Sequence, residues 1–271
     1  MVFRNERFKA PQEDQADKLD LYLAKMAEVL RAKGIPVDSG LRLVMEDFVG
    51  VEGYSAEDLE KSTQYVANQM GKFHPGLTMD AIDEKEKKSN GTRFEMLKTA
   101  LFVKNIGDRF IVCRSSRYDD IANKVDNVLV DSVTGEQLCI FDEVVDVTVV
   151  PGQSSSGLLQ NKKTFVVGVN CKGGANVEYG LVKKGERMVP GRMVGVPVLY
   201  LAISPLVLQE GLKVFDPNTT KSAGKEANLF NYLCTTLIGE IREFLTIRDL
   251  DTKISDKLKH VNDLFELAKL A

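Results

Sequence analysis

The stretch Arg114–Thr148 restricts the fold more than any other. Two apolar runs, Val125–Val130 and Leu138–Ile140, flank a turn at Ser132–Gly135. β-prone residues on both sides of a short glycine-bearing turn predict a β-hairpin. Its acids narrow the options further. Asp126 opens the first strand, and Asp142 and Glu143 lie inside the second. A carboxylate in the body of a sheet costs free energy unless it is paired or holds a cation.

Register decides which acids meet. If Asp131 and Glu136 flank a four-residue turn, Asp126 lies opposite Phe141 and Lys124 opposite Glu143. Alternation then puts Asp126, Phe141 and Glu143 on one face. A loop one residue longer or shorter brings Asp126 level with Asp142 or Ile140, and each one-residue slip swaps faces. Counting therefore leaves both Asp142 and Glu143 open. The apolar spacing of Glu143-Val144-Val145 favours Glu143.

Around the hairpin the periodicity predicts helices. Leu19, Leu23, Met26 and Leu30 recur at helical spacing over 12–33, stopped by Gly34 and Pro36. A second helix is expected over Gly40–Val49. A third runs to Phe73 behind a Ser55 cap that serves the amide of Asp58. Residues 74–91 are polar and weakly periodic and read as a linker. Thr92 is expected to cap a helix carrying Phe94 to Val103, closed by Gly107 at its C′ position. Arg109–Cys113 reads as a strand, and Ser115–Lys124 as a polar connector. Ser154–Ser156 can cap a helix over Leu158–Val169, although Thr164–Val169 alone is also strand-like. Val177–Lys183 reads as a strand and Gly185–Gly195 as turns. Val196–Ser204 reads as a buried strand, followed by a helix opened by Pro205. Helices over 226–245 and 255–270 complete the chain.

This order makes a mixed α/β sheet with helices on its faces. The expected parts are a helical region 1–73, the linker 74–91, an α/β core 92–215, and C-terminal helices 216–271 packed on that core. A chain of 271 residues with 44% hydrophobic residues can bury such a core. The formal net charge of −3 leaves no global basic field, so nucleic-acid binding needs a local patch. Lys183, Lys184, Arg187 and Arg192, near Tyr179, form the best one, though a solvated face is the commoner role for such a cluster. The four cysteines lack CxxC spacing and read as buried free thiols. The first residues hold no apolar run of signal-peptide length, and no membrane span is expected. A cytoplasmic protein is the expectation.

Two carboxylates on neighbouring strands can hold Mg²⁺ (or Mn²⁺), which polarises a phosphodiester and acidifies a bound water. The competing account solvates these acids or pairs them with Arg114, Arg117 or Lys124. The order helix, three strands, helix, strand over 92–204 resembles the core of the PD-(D/E)XK nuclease-like superfamily. The resemblance implies a restriction-endonuclease-like αβββαβ core. Its metal ligands would be Glu95 on the helix, Asp126 in VDNVLVD, and Glu143 (or Asp142) in CIFDEVV. It also implies a nuclease acting on DNA or RNA. The family's strand lysine is missing, because Val145, or Val144 for Asp142, stands there. Lys124, Lys162 and Lys163 are the candidates to replace it as catalytic residues. A looser likeness, to bacterial proteins with YDDIxNxVD and KGGAxxxYG…VPVxYLA stretches, implies no role. The reading from another class is a non-catalytic interaction protein, assembling through its end helices as a homo-oligomer.

Other motifs have plainer accounts. Tyr118-Asp119-Asp120 suits a turn or cap. Lys172-Gly173-Gly174 lacks the phosphate-loop pattern and suits helix termination. His74 and His260 are isolated, and His260 reads as a surface residue.

Overall fold

The computed structural model describes residues 13–145 and 157–270. Three N-terminal helices come first: α1 (Glu13–Ala32), α2 (Ala56–Phe73) and α3 (Met79–Lys87). Between α1 and α2 the chain forms a single 3-10 turn, Met45–Phe48, rather than a helix over 40–49. The bridge Arg42–Arg114 fastens that segment to the sheet instead, and the bridge Val37–Leu43 closes it on itself. Ser55 caps α2 by accepting from the Asp58 amide, as expected. The polar span 74–91 is not a bare linker. Thr78 caps α3, and Ile82 of α3 is buried against Val66 and Met70 of α2. One buried apolar residue per short helix is too weak a periodicity to betray it.

Helix α4 (Asn90–Ile106) starts behind Ser89, which accepts from the Thr92 amide at 3.2 Å, so the cap is Ser89 and not Thr92. It ends at Gly107, which has φ −67° and is not left-handed. Strands β1 (Phe110–Arg114), β2 (Asn127–Asp131) and β3 (Gln137–Val145) follow. A π-turn, Asp119–Asn123, bridges β1 and β2. Next come α5 (Gly157–Cys171), β4 (Ala175–Lys184), β5 (Arg187–Val196), β6 (Val198–Ile203), and helices α6 (Pro205–Val214), α7 (Gly224–Phe244) and α8 (Thr252–Leu270). The expected Ser154–Ser156 cap of α5 lies outside the described residues. Gly173 and Gly174, both at positive φ, terminate α5 as the sequence indicated. Gly185–Gly195 proves to be the turn and return strand of a hairpin, β4 pairing with β5.

The main sheet runs β1-β2-β3-β6, with β6 parallel to β3 and the other pairs antiparallel. The architecture is mixed α/β. Phe102 of α4 lies at the centre of the core, its ring 5.8 Å from Phe141, 5.7 Å from Phe230 and 5.8 Å from Phe265. The outer edge of β6 is sealed by side chains. Asn170 donates to Val198 O at 2.8 Å and accepts from Val198 N at 2.9 Å, and Glu240 accepts from Tyr200 N at 2.9 Å. These bonds satisfy groups that an open edge would offer to another chain. Cys113, Cys139 and Cys234 are buried free thiols, and Cys171 is free and half-buried. No described helix is long and apolar enough to cross a membrane.

The hairpin register holds the surprise. Asp131 N donates to Glu136 O, and Val130 pairs with Gln137, as the four-residue turn requires. A bulge then lets Leu129 pair with Cys139, skipping Leu138, and Asn127 falls opposite Phe141. The ladder ends there, and Asp126 lies just before it. The extra residue of a bulge shifts every later partner by one. Asn127, not Asp126, therefore shares a face with Phe141 and Glu143.

Candidate functional site

The acids still converge, because Asp126 sits at the mouth of β2, where the backbone enters the sheet. Asp126 N donates to Phe141 O at 2.8 Å, and its carboxylate accepts from the Glu143 amide. Glu143 points the other way across the strand, toward α4. Both its oxygens accept from Asn127 Nδ2, at 3.2 and 3.0 Å. Thr99 Oγ1 of α4 donates to Asn127 Oδ1 at 2.6 Å, fixing that amide's orientation.

Lys98 completes this face. It lies three residues after Glu95, so one side of α4 presents both. Its ammonium forms an ion pair with Glu143 and stands 3.7 Å over the Phe141 ring. The two side chains are 0% and 1% exposed, which leaves no room for a hydration shell. Burial pulls the Lys98 ammonium below its ordinary pKa, against the attraction of Glu143. Burial also pushes Glu143 up, against the attraction of Lys98. Both shifts favour the uncharged forms, as low dielectric does.

Glu95 is held by two arginines. Its Oε2 accepts from Arg114 Nη2 at 2.7 Å and Nε at 3.2 Å, and from Arg42 Nη2 at 3.4 Å. Burial raises the Glu95 pKa, but Arg114 and Arg42 outweigh it and leave the carboxyl below its usual value. Arg42 also reaches Asp120 Oδ2 and the Ser115 carbonyl, both at 3.1 Å. Asp120 is raised, chiefly by burial, despite Arg42. Asp126 is the least compensated of the group. Burial first, then the charges of Glu95, Glu143, Asp120 and Asp142, lift its carboxyl well above the carboxylate range.

Asp142 faces the opposite layer, where Lys162 of α5 pairs with it. Lys163 pairs with Glu243 of α7 instead. Lys124 is exposed, in a left-handed conformation with φ 57°, at the end of the π-turn. Of the three lysines suggested for catalysis, only Lys162 touches one of the four suggested ligands. The sheet thus separates Asp142 from Glu143, while Glu95, Asp126 and Glu143 share one charge cluster.

Arg42, Lys98 and Asn127 were missed by sequence reasoning, and Asp120, read as part of a turn or cap, instead pairs with Arg42. Lys98 carried a signal, since Glu95-x-x-Lys98 puts acid and base on one helical face. Asn127 carried none, because its role depends on the bulge. Asp119 has the structural part expected of its motif. Its carboxylate accepts from Ser116 Oγ (2.7 Å), Asn123 Nδ2 (2.7 Å), Glu178 N (2.7 Å) and Tyr179 N (2.9 Å), fastening β4 to the π-turn. The basic cluster is partly neutralised. Arg192 pairs with Glu178 at 2.6 Å, Lys184 with Glu52 at 3.3 Å, and Lys183 donates to the Val133 carbonyl. Arg187 is exposed at the start of β5. His74 lies 3.6 Å from Glu86, and His260 lies 3.0 Å from Glu136.

The carboxylates do not fit a divalent ion as they stand. Mg²⁺ takes carboxylate oxygens and keeps several waters. Here Glu143 is enclosed by Lys98 and Asn127, and the bonded oxygen of Glu95 by two guanidinium groups. Among the described residues no group of three or more His, Cys, Asp or Glu has metal-holding geometry. Compared with family models, curated proteins and solved structures, the chain matches none of them.

Proposed function

We propose that the chain is a PD-(D/E)XK-like protein whose acid centre is neutralised by its own cations, and which works by binding rather than hydrolysis. The order α4-β1-β2-β3-α5-β6, with β6 parallel beside β3, supports the nuclease-like core; the β4–β5 hairpin is an insertion within it. The charge balance carries the functional part. Lys98, Arg114 and Arg42 face Glu143, Glu95 and Asp120, and Asp126 is held toward its neutral form. Three cations against three anions leave no net charge to recruit a metal. Lys162 balances Asp142 on the other layer.

A second reading is Mg²⁺- or Mn²⁺-dependent cleavage of DNA or RNA, and one observation favours it. Lys98 stands on Glu143, beside Asp126, and is a lysine in the neighbourhood where the strand motif lacks one. One assay separates the two readings. Single- and double-stranded DNA and RNA are incubated with either metal and with wild type or Asp126→Ala. Equal background in both preparations is the expected result. Cleavage by wild type that Asp126→Ala abolishes would establish the enzyme.

A further inference from the structure

At the end of the sheet away from the acid cluster, a cleft of about 310 Å³ opens between the end of α4, the start of β1, and α8. Its volume is at the lower end of ligand pockets, roughly 300–1,000 Å³. Ile106, Phe110, Leu264 and Ala268 give it apolar walls, and Leu267 stands beside them 69% exposed.

The charges at the rim differ by sign. The two basic side chains, Arg109 and His260, are already engaged. Arg109 donates to Asp131 Oδ2 through Nε at 3.1 Å and Nη2 at 2.9 Å, and His260 Nδ1 lies 3.0 Å from Glu136. The two acids are not so engaged. Asp108 has no ion pair or hydrogen bond among the described residues, and Asp263 meets only the Asn262 amide at 3.5 Å. The rim thus offers unmatched negative charge above an apolar floor.

We infer that this cleft binds a small amphipathic cation, an apolar body of limited size carrying one ammonium group. The body displaces water from Ile106, Leu264 and Leu267, and the ammonium lies between Asp108 and Asp263. Apolar burial supplies most of the affinity, and the acids supply the sign preference.

The test uses the whole chain and two probes sharing one body, 4-phenylbutylamine and 4-phenylbutyrate, followed by calorimetry and by shifts of the Leu267 and Ala268 methyl signals. The expected result is that the amine binds roughly fivefold tighter, as two partly exposed charge pairs allow. The exposed double variant Asp108→Asn/Asp263→Asn keeps the fold and loses that preference. Equal binding of the two probes to wild type would overturn the inference. So would a preference that survives in the double variant, or no binding of the amine up to about 10 mM, weaker than ~3 kcal/mol of association. If a lysine-bearing helical peptide shifts the same methyl signals while the amine does not, the cleft is a protein groove and the small-cation assignment fails.

Discussion

Replacing Lys98 with Met removes one half of the buried pair and keeps the apolar contact with Phe141. Glu143, whose side chain is 1% exposed, is then a buried charge without a partner. Its cheapest escape is to take up a proton. Starting from the ordinary value of 4.5, holding it neutral at pH 7 costs about 1.36 × 2.5, or ~3 kcal/mol. Losing the desolvated ammonium offsets part of this, so the variant should be destabilised by about 2–3 kcal/mol, the low side of what breaking a buried pair costs. The sign with pH follows from the carboxyl, already raised by burial, rising further once Lys98 no longer pulls it down. A group whose folded pKa lies above its unfolded value opposes folding as pH rises through that interval. The deficit of Lys98→Met should therefore be largest at pH 7–8 and shrink toward pH 5. Urea unfolding at several pH values reads this directly, and Lys98→Met/Glu143→Gln should recover most of the loss. A deficit under about 1 kcal/mol at pH 7, or one independent of pH, would refute the paired, dry arrangement.

Two further outcomes follow. Asp126→Asn mimics the neutral acid while keeping an acceptor for the Glu143 amide, so it should be more stable than wild type at pH 7. That advantage should vanish near pH 4, and chemical unfolding at the two pH values checks both parts. Asp119→Ala strands the Glu178 and Tyr179 amides and should cost about 2–4 kcal/mol. Hydrogen exchange should show the protection loss concentrated in β4 and β5.

Elements with strong periodicity or clear caps were legible in the sequence: α1, α2 behind Ser55, β6 and the hairpin; α5 was open between helix and strand and proves helical. The β4–β5 hairpin was half legible. Gly185-Glu186 marks its turn, but Pro190, Gly191 and Gly195 in the return strand read as punctuation. Pro190 and Gly191 are accommodated because the hairpin is only two strands wide. Helix α3 was hidden because it buries little beyond Ile82. The site was legible as a set of acids but not as an arrangement. Asp126, Glu143 and Glu95 do gather, yet which neighbour lies beside each depends on the single skipped residue Leu138. Nothing local predicts that bulge. The cations Arg42 and Arg114 were invisible as a pair, since a bridge between distant segments brings them together.

The claim beneath all of this is that protein cations have taken the place a metal would fill. The direct measurement is the thermal unfolding midpoint, with calorimetric titration, across Mg²⁺ and Mn²⁺ at pH 7.5. The account predicts no saturable heat and no rise in midpoint. A saturable rise that Asp126→Asn abolishes, accompanied by proton release as Asp126 ionises, would contradict it.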